Sequence, residues 1–145
     1  MRKKITAAAM AALCAVSFAA CGSKTYKDGT YTGKSAEFSE DDEGGGSGYG
    51  QVTLTIKDGK ISECKFETYE LDGTLKGEDY GKEGGEIKNR DFYNKAQKAN
   101  AARAYYAEEL VKKGNTDEID AVSGATINFD QFKQAVAAAL SEAEQ

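Results

Sequence analysis

"QVTLTIKDGKISECKF", residues 51–66, carries the clearest local signal in the chain. Val52, Leu54 and Ile56 alternate with Thr53, Thr55 and Lys57, the period of two that marks a strand with one buried face. Asp58-Gly59 follows, a pair that tolerates positive φ and closes a two-residue hairpin. On the return strand Ile61 should face Ile56. Simple pairing would then set Glu63 opposite Leu54 on the buried face, yet the apolar set resumes at Cys64 and Phe66. A β-bulge near Ser62-Glu63 restores the pattern, because one extra residue sends every later side chain to the other face. Cys64 then reads as a small core residue rather than a redox centre, with no second thiol or charge partner in sight.

Working outward, "GTYTGKSAEF" (29–38) has strand-like composition, and "SEDDEGGGSGYG" (39–50) is an acidic run followed by a glycine-rich, exposed loop. Residues 71–90 hold too much glycine and charge for a regular element. The echo between "DGTYTG" (28–33) and "DGTLKG" (72–77) is turn chemistry, not a repeat. From Asp91 to Lys113 the period changes. Phe92, Ala96, Ala99, Arg103, Tyr106 and Leu110 fall three or four residues apart, with Asn89 or Asp91 able to cap the start and Gly114 to close the end. A second helix is expected from about Asn128 to Ala143, with Phe129, Phe132, Val136, Ala139 and Leu140 on one face and Asn128/Gln131 as a capping box. Strands first and helices last give an α+β class: a small antiparallel sheet, a hairpin with a bulge, packed against two C-terminal amphipathic helices.

The N-terminus gives the address. Arg2, Lys3 and Lys4 precede an apolar, alanine-rich run to Ala20, which ends in "SFAACGSK". That is the pattern of a secretory signal, and the run is shorter than the roughly 20 residues a spanning helix needs. Cys21, after Ala19-Ala20 and before Gly22-Ser23, resembles the lipidated cysteine of a bacterial lipobox, with Phe18 where leucine is usual. The expected organisation is a lipoprotein signal peptide at 1–20, an anchor and short tether at 21–28, and one folded domain at 29–145. Cys14 would leave with the signal and Cys21 would carry lipid, so Cys64 stays as the sole thiol and no disulfide framework exists. The expected location is the extracytoplasmic face of the cell membrane. Net charge is −5, and losing residues 1–20 removes three positive charges and no negative ones. Such an acidic chain argues against nucleic acid as a partner.

Composition also removes whole classes of chemistry. Without histidine there is no Ser-His pair, and one thiol cannot hold zinc. The acidic run 40–43 lacks the spacing of an EF-hand, so no metal site is expected. "GKS" (33–35) lacks the first glycine of a P-loop, since residue 28 is aspartate. "SECK" (62–65) fits Ser-x-x-Lys, but on a strand those two side chains point to opposite faces.

"DAVSGATINF" (120–129) survives these exclusions. Thr126 stands just before the expected helix, where free N–H groups and the macrodipole favour a phosphate, and Gly124 and Ala125 leave the approach open. Physics alone is equally content with a small-residue turn that introduces a helix. Asp120-Ala121-Val122-Ser123-Gly124-Ala125-Thr126 also resembles the D-x-x-S-G-A-T motif of the FMN-binding domain family. "YKDGTYTG" (26–33) and "GYGQVTLTIKDGKI" (48–61) precede it in the family's order, and "FKQAVAAAL" follows it. The resemblance covers most of the mature chain. It implies FMN as cofactor, joined through a phosphoester to Thr126 by a separate flavin transferase. Ser123, Gly124 and Ala125 would shape the turn, and Asp120 would orient it or be read by the transferase. Asn128 stands where many members carry Ser or Thr. The implied role is an electron carrier between a membrane redox donor and an external acceptor, rather than a stand-alone turnover enzyme. Tyr49, Tyr80 and Tyr106 are candidates to stack on the flavin ring. Two rival readings are a surface binding or adhesion lipoprotein without flavin, and an accessory subunit of a membrane redox complex.

Overall fold

Asp58 and Gly59 adopt φ of 53° and 74°, both left-handed, as a type I′ hairpin turn requires. Around that turn, in a computed structural model that describes residues 25–39 and 46–144, the chain forms a three-stranded antiparallel sheet. Its strands, β1 (Gly29–Lys34), β2 (Tyr49–Lys57) and β3 (Lys60–Tyr69), lie in chain order. Two helices, α1 (Arg90–Lys113) and α2 (Thr126–Ala143), follow. The fold is the α+β class read from the sequence, with the 29–38 segment supplying the third strand. The signal peptide, Cys21 and the acidic run 40–43 lie outside the described residues.

The bulge is present. Ile56 pairs with Ile61 and Thr55 with Glu63, so Ser62 has no partner of its own, and Leu54 and Val52 then face Cys64 and Phe66. Ser62 and Glu63 are both exposed, two outward residues in a row, before the alternation resumes. Cys64 packs against the core, and burial pushes its thiol up to about 12. It is therefore a protonated, unreactive group at neutral pH, as a structural cysteine should be.

Both helices cover the face that presents Val52, Leu54, Ile61 and Phe66, with α2 across β1 and β2 and α1 against β3. Phe66 meets Phe132 at 5.0 Å between ring centroids, and Tyr106 stacks on Phe132 at 5.7 Å. Each fully buried large side chain is worth roughly 1.5–3 kcal/mol. The approach of α2 is set by Gly33: a Cβ there would fall 1.9 Å from Ala135 O and 2.5 Å from Ala139 N, so helix backbone rests directly on strand backbone. Gln131 and Gln134 tie α2 to the chain between β1 and β2, through Gly48 O (3.3 Å) and Ala36 N (3.0 Å). Residues ahead of β1 also attach to the domain, where Lys27 N donates to Ala143 O at 2.9 Å.

The helix ends divide. Asn89 caps α1, its side chain accepting from Phe92 N at 3.0 Å, and Gly114 closes the helix at φ 79°. The capping box at Asn128/Gln131 does not form. α2 starts at Thr126, with Ala125 in the cap position and no side-chain cap. Asn128 is instead turned toward α1, where its amide donates to Ala99 O at 3.0 Å, and Gln131 is buried against Gly48. Tertiary partners outbid the local cap for both side chains.

Candidate functional site

Val122 to Ala125 form a turn in which Ala125 N donates to Val122 O at 2.9 Å. Gly124 occupies its third position at φ 82°, where a type II turn needs a residue free of Cβ strain. Tyr106 holds this turn from below. Val122 N donates to the Tyr106 hydroxyl at 2.8 Å, and that hydroxyl donates to Ala125 O at 3.3 Å. Burial raises the Tyr106 phenol, with the bond from Val122 opposing it, so it remains a neutral donor and acceptor. The turn delivers the chain into α2, whose first bond within this stretch is Phe129 N to Ala125 O at 3.0 Å.

Three N–H groups, of Thr126, Ile127 and Asn128, therefore precede the first intrahelical bond, and no cap or first-turn acid competes for them. The Thr126 side chain is exposed beside them. This end of α2 opens onto a cavity of about 290 Å³ that Gly124, Ala125 and Thr126 help to line. Lys95, Ala96, Ala99 and Asn100 of α1 form another wall, with Thr68 at the end of β3. Tyr80 and Phe92, 6.1 Å apart between centroids, supply an aromatic wall. Positive charge gathers here. Lys95 lines the cavity, and the Lys98 side chain passes 3.9 Å from where a Gly124 Cβ would stand. Lys76 lines it too, although it is only 7 % exposed.

Of the residues singled out in the sequence, the structure brings Gly124, Ala125, Thr126 and Tyr80 to this cavity. Ser123 is exposed in the turn but is not among its walls, and the exposed Asp120 stands outside as well. The charge of Asp120 reaches Lys113, whose amine is raised first by its bond to Glu109 and to a smaller degree by Asp120. Tyr49 lies on the sheet face opposite the helices, stacked on Tyr69 at 5.3 Å. Tyr106 is wholly buried, so it supports the turn and offers no face to a ligand. Lys76, Thr68 and the supporting role of the Tyr106 hydroxyl are additions from the structure. A lysine in "DGTLKGED" carries no sequence signal of burial, and the partners of Tyr106 lie 16 and 19 residues further on.

Fold and site together define a small α+β domain with an uncapped helix start beside an aromatic-walled, cationic cavity. The profile of the FMN-binding domain family matches residues 45–141, and the chain belongs to that family. FMN is the cofactor that membership indicates. The residues present fit it: the first-turn N–H groups of α2 with Lys95 and Lys98 suit a phosphate, and Tyr80 with Phe92 suit a flat ring. Among solved structures, the crystal structure of the CPE2226 protein from Clostridium perfringens aligns with a TM-score of 0.57 at 24% identity. That alignment covers 81% of this chain and 88% of that one, and shows a shared fold. A solution NMR structure of a Clostridium thermocellum protein aligns with a TM-score of 0.44 at 24% identity, over 80% and 91% of the two chains. No curated protein matches the chain. No helix among the described residues is long and apolar enough to cross a membrane, and no group of metal-ligating side chains occurs among them.

Proposed function

We propose that this chain is a lipid-anchored flavoprotein of the extracytoplasmic membrane face, with FMN held as a phosphoester on Thr126. Its role is to pass electrons from a membrane redox donor to an external acceptor. The observation that carries the reading is the exposed Thr126 hydroxyl at the uncapped start of α2, on the rim of a cavity lined by lysine. FMN supplies the redox chemistry that the side chains here lack, and the protein supplies position and electrostatics.

The ester requires help from outside. The chain has no histidine, and the first turn of α2 offers no acid to take the hydroxyl proton. A flavin transferase would supply that base. The Thr126 Oγ–P bond forms as the bond from phosphorus to a leaving group on the activated flavin donor breaks, and the hydroxyl proton passes to the transferase. The turn shaped by Ser123, Gly124 and Ala125 presents the hydroxyl, and the exposed Asp120 offers the transferase a charge to read. Outside the cytoplasm there is no FMN pool to rebind from, so a covalent tether prevents permanent loss.

The test is a denaturing gel viewed for flavin fluorescence after co-expression with a flavin transferase. Wild type should glow. Thr126→Ala should be dark while its stability changes by no more than about 0.5 kcal/mol, since the side chain is exposed. Thr126→Ser should keep part of the signal, because it retains an oxygen at the same place. A dark wild type defeats the tether, and a glowing Thr126→Ala moves the acceptor elsewhere.

A further inference from the structure

Lysine is among the residues least often buried, because desolvating an ammonium is costly unless a partner offsets it. Lys76 breaks that habit. After β3 the chain turns back through Glu70 to Thr74, and Lys76 N donates to Thr68 O at 2.9 Å, which fixes the lysine beside the end of the strand. The residue as a whole is 7 % exposed and lines the same cavity as Thr126. Among the described residues its partners are weak: the Gly46 carbonyl at 3.5 Å and the Tyr80 ring at 4.6 Å from the centroid. Burial pulls the amine below its ordinary value, Glu70 opposes that at a distance, and the neighbouring Arg103 adds to it. An ammonium with three donors is thus held in a low-dielectric wall with little among the described residues to neutralise it.

We infer that Lys76 is the residue that biases bound flavin toward its reduced form, by placing a cation beside the ring in the cavity. This rests on the reading of the chain as an FMN carrier. The phosphate already has the start of α2 with Lys95 and Lys98, whereas Lys76 packs on the aromatic wall that suits the ring. Two electrons and one proton taken from an external reductant leave a flavin ring with one net negative charge. A buried cation beside it is worth more to that state than to the neutral oxidised one.

The experiment compares wild type, Lys76→Met and Lys76→Arg, each prepared without flavin and flavin-loaded. Without flavin, Lys76→Met should melt at the same temperature as wild type or higher, because a methionine of similar length removes an uncompensated buried charge. With flavin loaded and titrated by dithionite, Lys76→Met should lose at least tenfold in preference for reduced over oxidised flavin. That is a fall of about 30 mV for a two-electron couple. Lys76→Arg should restore most of the wild-type potential. A clear drop in the melting temperature of flavin-free Lys76→Met would show that the lysine is already paired within the fold and overturn the inference. An unchanged potential would overturn it too, including the case where both redox states are held equally more weakly, which would make Lys76 a phosphate ligand. A wild type that binds no flavin defeats the carrier reading and this inference together; a loaded wild type with an unshifted Lys76→Met defeats this inference alone.

Discussion

At the scale of single residues, the Tyr106 hydroxyl carries the motif turn, since it accepts from Val122 N and donates to Ala125 O. Tyr106→Phe keeps the ring that packs on Phe129 and Phe132 but leaves the Val122 N–H without a partner. An unmet, partly buried donor costs about 1–3 kcal/mol. Urea melts should show a loss near the lower end of that range, because Val122 is only half-buried. Flavin loading should fall further than in a core variant of equal stability, since the turn that presents Thr126 loosens. Equal loading in the two would show that the turn holds without its strut. The apolar stripe that placed Tyr106 in the core was readable; its hydroxyl's task was not, because the task depends on where a distant turn comes to rest.

Among the elements, the hairpin is the best case of local determination. Alternation, Asp58-Gly59 and the broken pattern at Ser62-Glu63 each have a physical cause within 16 residues, and the observed register follows all three. Deleting Ser62 should therefore remove the bulge and leave a regular ladder, with Glu63 opposite Thr55 and Cys64 and Phe66 still on the buried face. The melting temperature should change little, because no large side chain leaves the core. A sharp drop, of the size that losing roughly 1.5–3 kcal/mol of burial gives, would mean that Ser62 is not the extra residue. The helix starts show the limit of such reading. Asn89 caps α1 through its Oδ1, which accepts from Phe92 N three residues on. Asn128 had a similar local claim, but a carbonyl at Ala99 on the other helix took it, and the cap position of α2 fell three residues earlier, at Ala125.

For the whole molecule, the decisive contact is α2 on β1. Gly33→Ala would place a methyl group against the backbone of Ala135 and Ala139, which cannot swing aside as a side chain can. Overpacking of this kind costs typically about 1–3 kcal/mol. The expected result is a lowered melting temperature together with reduced flavin loading, as the start of α2 shifts relative to the cavity; normal loading would uncouple the two. The anchor is tested at the same scale. Cys21→Ser should release the protein from the membrane fraction or leave it unprocessed, and a variant that stays membrane-bound at mature size would remove the lipid anchor from the proposal. Sequence alone determined the hairpin, its bulge and the extent of α1, because each depends on periodicity, capping or turn chemistry among near neighbours. Only the tertiary structure decided where Lys76, Thr68 and Asn128 would point, and that α2 would begin at Thr126. Those outcomes depend on which carbonyls and rings other elements bring within hydrogen-bonding distance, and no local pattern along the chain encodes that.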